Sequence, residues 1–211
     1  MWGQMIKRRK TFRILFPLVF LLFCGTGCVQ YGNLEYCPLV VMDVFTLAGN
    51  IVLREPVETD LLSSYRYSDI ASVTDYSKFV VSVPQKGKNA NKDGTFSLDK
   101  ILASEPMVLS ATAGKIVLKR RLYPRDFRYT DMTKLTIDVD TTARALIWEK
   151  AKERGVELTE ADILAREYDS MVASVSRAIR LAFLLPKKDV PKTILDLDMV
   201  TKPVAAAANA I

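Results

Sequence analysis

The hydrophobic period changes once along this chain, near Asp140, and that change limits the fold more than any other feature of the sequence. Before it, apolar residues recur every second position: Phe79, Val81 and Val83, then Phe96 and Leu98, then Leu135, Ile137 and Val139. A period of two marks strands with one buried face. After it, Leu164, Tyr168, Met171, Val175, Ala178, Ile179 and Ala182 recur at helical spacing. A period of 3.6 marks an amphipathic helix. Strands come first and helices second, so the pattern predicts an α+β chain: an antiparallel β-sandwich domain over 44–140, a helical extension of two main helices over 141–186, and a tail over 187–211.

Within the β region, Val44–Leu53 reads as a first strand interrupted by Gly49. Residues 54–77 are polar and punctuated by Pro56 and several serines, and read as a long insertion loop with room for a short helix. Lys78–Val83 is apolar on both faces, which predicts a central strand. The Lys-, Asn- and Gly-rich stretch 85–94 reads as a loop before a strand at Thr95–Leu98. Met107–Ala111 and Lys115–Tyr123 flank Ala113-Gly114 and predict a hairpin. Asp140 or Thr141 can cap a helix over about 142–154, and Gly155 can end it. Thr159 with Asp162 forms a variant capping box for a second helix that Pro186 closes. The Ala-rich end around 205–208 reads as frayed.

Residues 1–28 have a different logic. Lys7, Arg8, Arg9, Lys10 and Arg13 form a basic segment, Ile14–Phe23 is apolar apart from Pro17, and Gly25-Thr26-Gly27 leads directly into Cys28. This is the order of a secretory signal: charge, short apolar core, small residues. An apolar core of about ten residues is half of what a spanning helix needs. The cysteine placed directly after the small residues resembles a bacterial lipoprotein signal, with 1–27 as signal peptide, Cys28 as the lipidated residue and 28–43 as tether and lead-in. The resemblance implies a membrane partner through Cys28 and location in the cell envelope. By resemblance to the sorting rule of enteric bacteria, Val29 in place of an aspartate favours the outer membrane, on its periplasmic side or at the surface. Gly25 departs from the leucine usual three residues before that cysteine.

Cleavage before Cys28 would remove five of the 30 basic residues and none of the 24 acidic ones, leaving the chain near neutrality. The sequence pI of about 9.2 is thus mostly a property of the signal, and a nucleic-acid partner is not expected. Cys24 would leave with the signal, so Cys37 has no partner for an internal disulfide. The chain contains no histidine, which removes His-based triads and His metal sites. Neither a cofactor nor a metal is expected.

Three constellations could carry function. The first is the basic run Lys119, Arg120, Arg121, with Arg125 and Arg128 beyond Pro124, interleaved with Tyr123, Phe127 and Tyr129. Alternation places Lys119 and Arg121 on one face and Arg120 on the other. Lys119, Arg121, Arg125 and Arg128 are the expected binding residues for an anionic glycan, an anionic lipid or an acidic envelope protein. The second is Asn89-x-Asn91-x-Asp93-Gly94, which imitates the start of a calcium loop. The twelfth position, where an acid is needed, is Lys100, so a plain Asp-Gly turn is the better reading. The third is Asp138 with Asp140, a carboxylate pair sharing a strand face, though they flank the end of a strand and Asp140 can serve as a helix cap. No catalytic residue is assigned.

Leu47–Leu53, Lys78–Val83, the run Asn91–Leu98 with its Asp-Gly-x-Phe turn, and Val108–Ala111 together resemble the carboxypeptidase regulatory-like, or transthyretin-like, β-sandwich over about 45–139. The resemblance implies a folding, adhesion or binding module without catalysis. The long 54–77 stretch and the missing Ala-Pro-type motif depart from that family. The expected function is a non-enzymatic, lipid-anchored envelope protein. The alternatives are an accessory subunit of an envelope or secretion complex that docks through its helices, and a histidine-free hydrolase.

Overall fold

The computed structural model describes residues 29–31, 34–36, 44–62, 69–102, 107–123 and 135–211. Two units are distinct. In Met1–Met42, the described residues form a small antiparallel hairpin of β1 (Val29–Tyr31) and β2 (Leu34–Tyr36), with Val29 opposite Tyr36. The second unit is Asp43–Ile211 and holds the core.

In that unit β3 (Val44–Ile51) is followed by short strands β4 (Val57–Glu58) and β5 (Ile70–Ala71), then β6 (Val80–Val83), β7 (Lys86–Asn89), β8 (Thr95–Leu102), β9 (Val108–Ala113), β10 (Ile116–Arg121) and β11 (Leu135–Ile137). The helices are α1 (Val139–Glu153), a single turn α2 (Glu160–Leu164), α3 (Asp169–Ala182) and α4 (Asp198–Ala210). The mixed α+β content agrees with the sequence pattern.

The strands form a four-stranded antiparallel sheet in the order β10-β9-β6-β7, a three-stranded sheet in the order β11-β3-β8, and the β4–β5 pair. Phe79, Val81, Leu109, Ala111, Ile116 and Leu118 from the first sheet share one core cluster with Leu47, Ile51, Phe96, Leu98, Ile101 and Ile137 from the second. Burying each large apolar side chain of this kind contributes roughly 1.5–3 kcal/mol, and the same cluster takes in Ile147, Val175 and Ile179 from the helices.

Gly49 allows the second sheet to exist. β11 pairs with β3 in parallel, with Leu135 opposite Gly49. A Cβ built on Gly49 would overlap the Leu135 carbonyl and lie 2.8 Å from the Phe96 ring. Only a residue without a side chain permits that approach. The parallel pair also corrects the expectation of a wholly antiparallel β domain: the chain returns to β3 after its hairpins are complete, and its direction at β11 is that of β3.

Other expectations need correction in detail. β6 is central as predicted, but Val80 is 41% exposed, so only one of its faces is buried. The stretch read as a loop before Thr95 contains β7, whose four residues are all exposed. Such a strand has no apolar alternation to announce it. The 54–77 insertion holds a short helix, the 3₁₀ turn at Thr59–Leu62, and beyond the expectation it also supplies β4 and β5, with Val57, Leu61 and Leu62 buried. The Asp93-Gly94 turn holds, with Gly94 at φ +87° and its amide hydrogen-bonded to Asn91 O at 3.0 Å.

The helical region has three main helices instead of two. Asp138 is the N-cap of α1: its carboxylate accepts from the Thr141 amide while the Thr141 hydroxyl accepts from the Asp138 amide. The cap sits two or three residues earlier than the expected Asp140 or Thr141, and Val139, in phase with the strand, already belongs to the helix. Gly155, at φ +79°, follows α1 as expected. The Thr159–Asp162 box is present, but the helix it starts stops after one turn. Ala165 is extended there, and a 3₁₀ turn at Arg166–Tyr168 leads into α3. The expected tail is ordered, and its Ala-rich end is helical. Val200, Val204, Ala207 and Ala208 of α4 are buried, spaced at four, three and one residues on one helical face. α4 packs against α1 and α3.

Candidate functional site at the basic edge strand

β10 is an outer strand of the four-stranded sheet, and α1 lies along it. An edge strand leaves alternate amides without a sheet partner. Here the Lys119 amide donates to Thr142 Oγ1 at 2.8 Å, and that hydroxyl donates to Asp138 O at 2.6 Å. Thr142 is fully buried, so one helical side chain both closes the sheet edge and braces its own first turn.

The side chains of the basic run split as alternation predicts. Lys119 and Arg121 turn toward α1, while Arg120 reaches the neighbouring strand, where its Nη1 donates to Thr136 O at 3.1 Å. Lys119 Nζ pairs with Glu149 at 2.7 Å. Arg121 stacks between aromatic rings, 4.1 Å from the Trp148 centroid and 4.9 Å from that of Tyr123, and its Nη1 donates to Leu158 O at 2.8 Å. The aromatic stack outweighs the ion pair. Half-exposed pairs contribute up to about 1 kcal/mol, whereas burying a tryptophan contributes about 3 kcal/mol.

Beside this stack, Arg120, Arg121 and Tyr123 line an open cleft of about 80 Å³ together with Thr141, Arg144 and Ala145 of α1. Arg144 Nη2 is also 3.1 Å from Asp169 of α3. The structure thus brings Lys119 and Arg121 to one place, but Lys119 is turned to Glu149 and does not line the cleft. Arg120 and Arg144, which sequence reasoning did not select, do line it. Arg144 is far from the run in sequence and joins it only through the docking of α1, so no local pattern could have found it. Arg125, Arg128 and Cys28 lie outside the described residues.

The other candidates take structural roles. Asp138 caps α1. Asp140 lies in the first turn of α1, not on a strand beside Asp138, and accepts from Ser176 Oγ at 2.7 Å and Arg180 Nη2 at 3.2 Å. Arg180 Nε also donates to Glu55 at 2.8 Å. The Glu55 hydrogen bond, more than the charge of Asp140, raises the guanidinium pKa above its ordinary value. Asp93 accepts from the Thr95 hydroxyl at 2.7 Å and amide at 3.0 Å, which lowers its pKa. Among the described residues, no group of three His, Cys, Asp or Glu gathers to hold a metal ion, and no helix is long and apolar enough to cross a membrane.

No protein-family model matches the chain, and neither a curated protein nor a solved structure is significantly similar to it.

Proposed function

We propose that this chain is a lipid-anchored, non-catalytic protein of a bacterial cell envelope, held by acyl chains on Cys28 and presenting its α+β unit as a binding or structural module. The observation that carries the reading is the order of residues 7–28: basic cluster, short apolar core, small residues, cysteine. Two or more acyl chains, at about 0.8 kcal/mol per buried CH₂, hold a protein stably at a membrane. We read the two sheets as a β-sandwich of the carboxypeptidase regulatory-like kind. The core cluster they share supports that reading, and the parallel β3–β11 pair departs from it. The test is Cys28→Ser in a bacterial host supplied with labelled fatty acid. Label should disappear, with release or misprocessing of the protein; labelling and membrane partition unchanged from wild type would refute the assignment.

A second reading, docking to an envelope complex through the helices, is favoured by Leu164, Leu181 and Leu184, large apolar side chains that are exposed in the helical region. A single stoichiometric protein partner, released by Leu181→Glu with Leu184→Glu, is the outcome that would select it.

A further inference from the structure

We propose that the end of the second unit where β3 begins is a docking face for an anionic lipid surface, the membrane that the acyl chains on Cys28 enter. This rests on the acylation of Cys28 proposed above and adds which side of the unit meets the membrane. The centre of the face is an apolar pair. Val44 and Leu102 stand directly opposite each other on β3 and β8, and opposite residues of an antiparallel pair share a face. They are 56% and 38% exposed.

A bulge turns Leu102 outward. Phe96 and Leu98 are buried, so regular alternation would next send Lys100 into the core and keep Leu102 in phase with it. Instead the register shifts between Phe45 and Leu47, and Lys100 adopts φ +58°, a left-handed conformation that disfavours any residue with a side chain. The extra residue lets Ile101 fill the core and leaves Lys100 and Leu102 at the surface. A bulge on an outer strand re-aims its side chains and discourages further pairing. This edge therefore suits a surface better than an added strand.

Lysines border the pair. Gln85 Nε2 donates to Leu102 O at 3.2 Å and Lys86 Nζ to Asp99 O at 2.9 Å, which brings the start of β7 against the end of β8. Lys86 and Lys88 are exposed and, two apart on a strand, share a face. A carbonyl partner leaves the charge of Lys86 in place. Asp99 is exposed among them, and its carboxylate accepts from Ser97 Oγ at 3.3 Å; Lys86, Lys88 and Lys100 outnumber it. Apolar side chains bordered by ammonium groups match the headgroup region of an anionic leaflet, with its phosphates outside and acyl chains beneath. So small a patch would hold a free protein poorly. It suffices on a tethered one: the chain leading back to Cys28 leaves from Val44 and keeps this face at high effective concentration over the membrane.

The test places the full chain, isolated from membranes, in phosphatidylglycerol-rich nanodiscs and separately in phosphatidylcholine nanodiscs. Amide hydrogen exchange reads the face, and mass spectrometry of the same samples reads acylation of Cys28. Exchange over 44–46, 85–88 and 100–102 should be slower in the anionic discs, and the difference should shrink at high salt. Each lysine near such a surface favours contact about fivefold, so Lys86→Glu with Lys88→Glu should remove the difference while the protein stays in the disc. Leu102→Ser should reduce it with the lysines intact. If charge reversal lowers the melting temperature, Lys86→Gln with Lys88→Gln gives the same reading. Equal exchange in the two kinds of disc, or protection retained in both the lysine and the Leu102→Ser variants, would overturn the proposal. So would protection that grows with protein concentration in detergent without lipid, which would assign the face to a second copy. Acyl groups missing from Cys28 would refute the anchor instead, a result the exchange pattern does not decide.

Discussion

The four-stranded sheet has two outer strands with the same chemistry and opposite fates. β7 carries Lys86 and Lys88, all four of its residues are exposed, and Lys86 Nζ merely reaches Asp99 O at 2.9 Å. β10 carries Lys119, Arg120 and Arg121, and its edge is covered by α1, closed at Thr142 and packed against Trp148. Exposed lysines on a bare edge prevent strand-to-strand association. Basic residues on a covered edge become half-buried, take fixed partners and line a cleft. A run of positive charge therefore has no fixed meaning, and what lies over the strand decides it.

The comparison breaks most completely at Gly49, which admits β11 to the covered side. Gly49→Val should leave little folded protein, a loss of more than about 4 kcal/mol, because the clash is with backbone and cannot relax. Recovery of a cooperative urea transition near wild type would show that β11 need not sit there. Trp148→Ala comes next, with an expected loss of about 3 kcal/mol from the emptied stack, read as a shift in the denaturation midpoint. Lys119→Met should cost no more than about 1 kcal/mol, the range for a half-exposed pair. On the bare side, Lys86→Thr with Lys88→Thr should change stability by less than about 0.5 kcal/mol while increasing light scattering at high concentration. A stability loss equal to that of Trp148→Ala would mean the two edges are not different in kind.

Acid provides a smaller probe of the bare side. Asp93 has its pKa lowered from 3.8, first by the Thr95 hydroxyl and then by the Thr95 amide. A carboxylate with a depressed folded value contributes stability above its unfolded value and loses it as pH falls through the folded one. Asp93→Asn should therefore flatten the fall of the denaturation midpoint as pH drops below about 4. An unchanged acid limb would mean the turn does not depend on the charged form.

Local signals made much of this architecture readable in advance. The β9–β10 hairpin, the Asp93-Gly94 turn, the Gly155 stop and the Thr159–Asp162 box each depend on residues within a few positions of one another. β7 was not readable, because a strand with no buried face has no hydrophobic period. α4 had a signal in the spacing of Val200, Val204, Ala207 and Ala208, but Pro203 and the run of alanines hide it from a reading that expects large apolar residues. Of the cleft, Arg121 was readable from its place in the basic run, and Arg144 was not, because only tertiary packing brings it there.

The β3–β11 seam also has a kinetic meaning. Leu135 must find Gly49 across most of the β region, the Ile194 amide must find Lys115 O, and Arg154 Nη1 must find Ala208 O in α4. Contacts between positions so distant in sequence are formed late, after the entropy of closing long loops has been met. Refolding from urea should accordingly be slow for a unit of this size, with the β9–β10 hairpin forming early and the seam closing last. A chain of this kind stays open for a comparatively long time after it is made, so its apolar strands are exposed to misassociation for longer than those of a chain held together by local contacts.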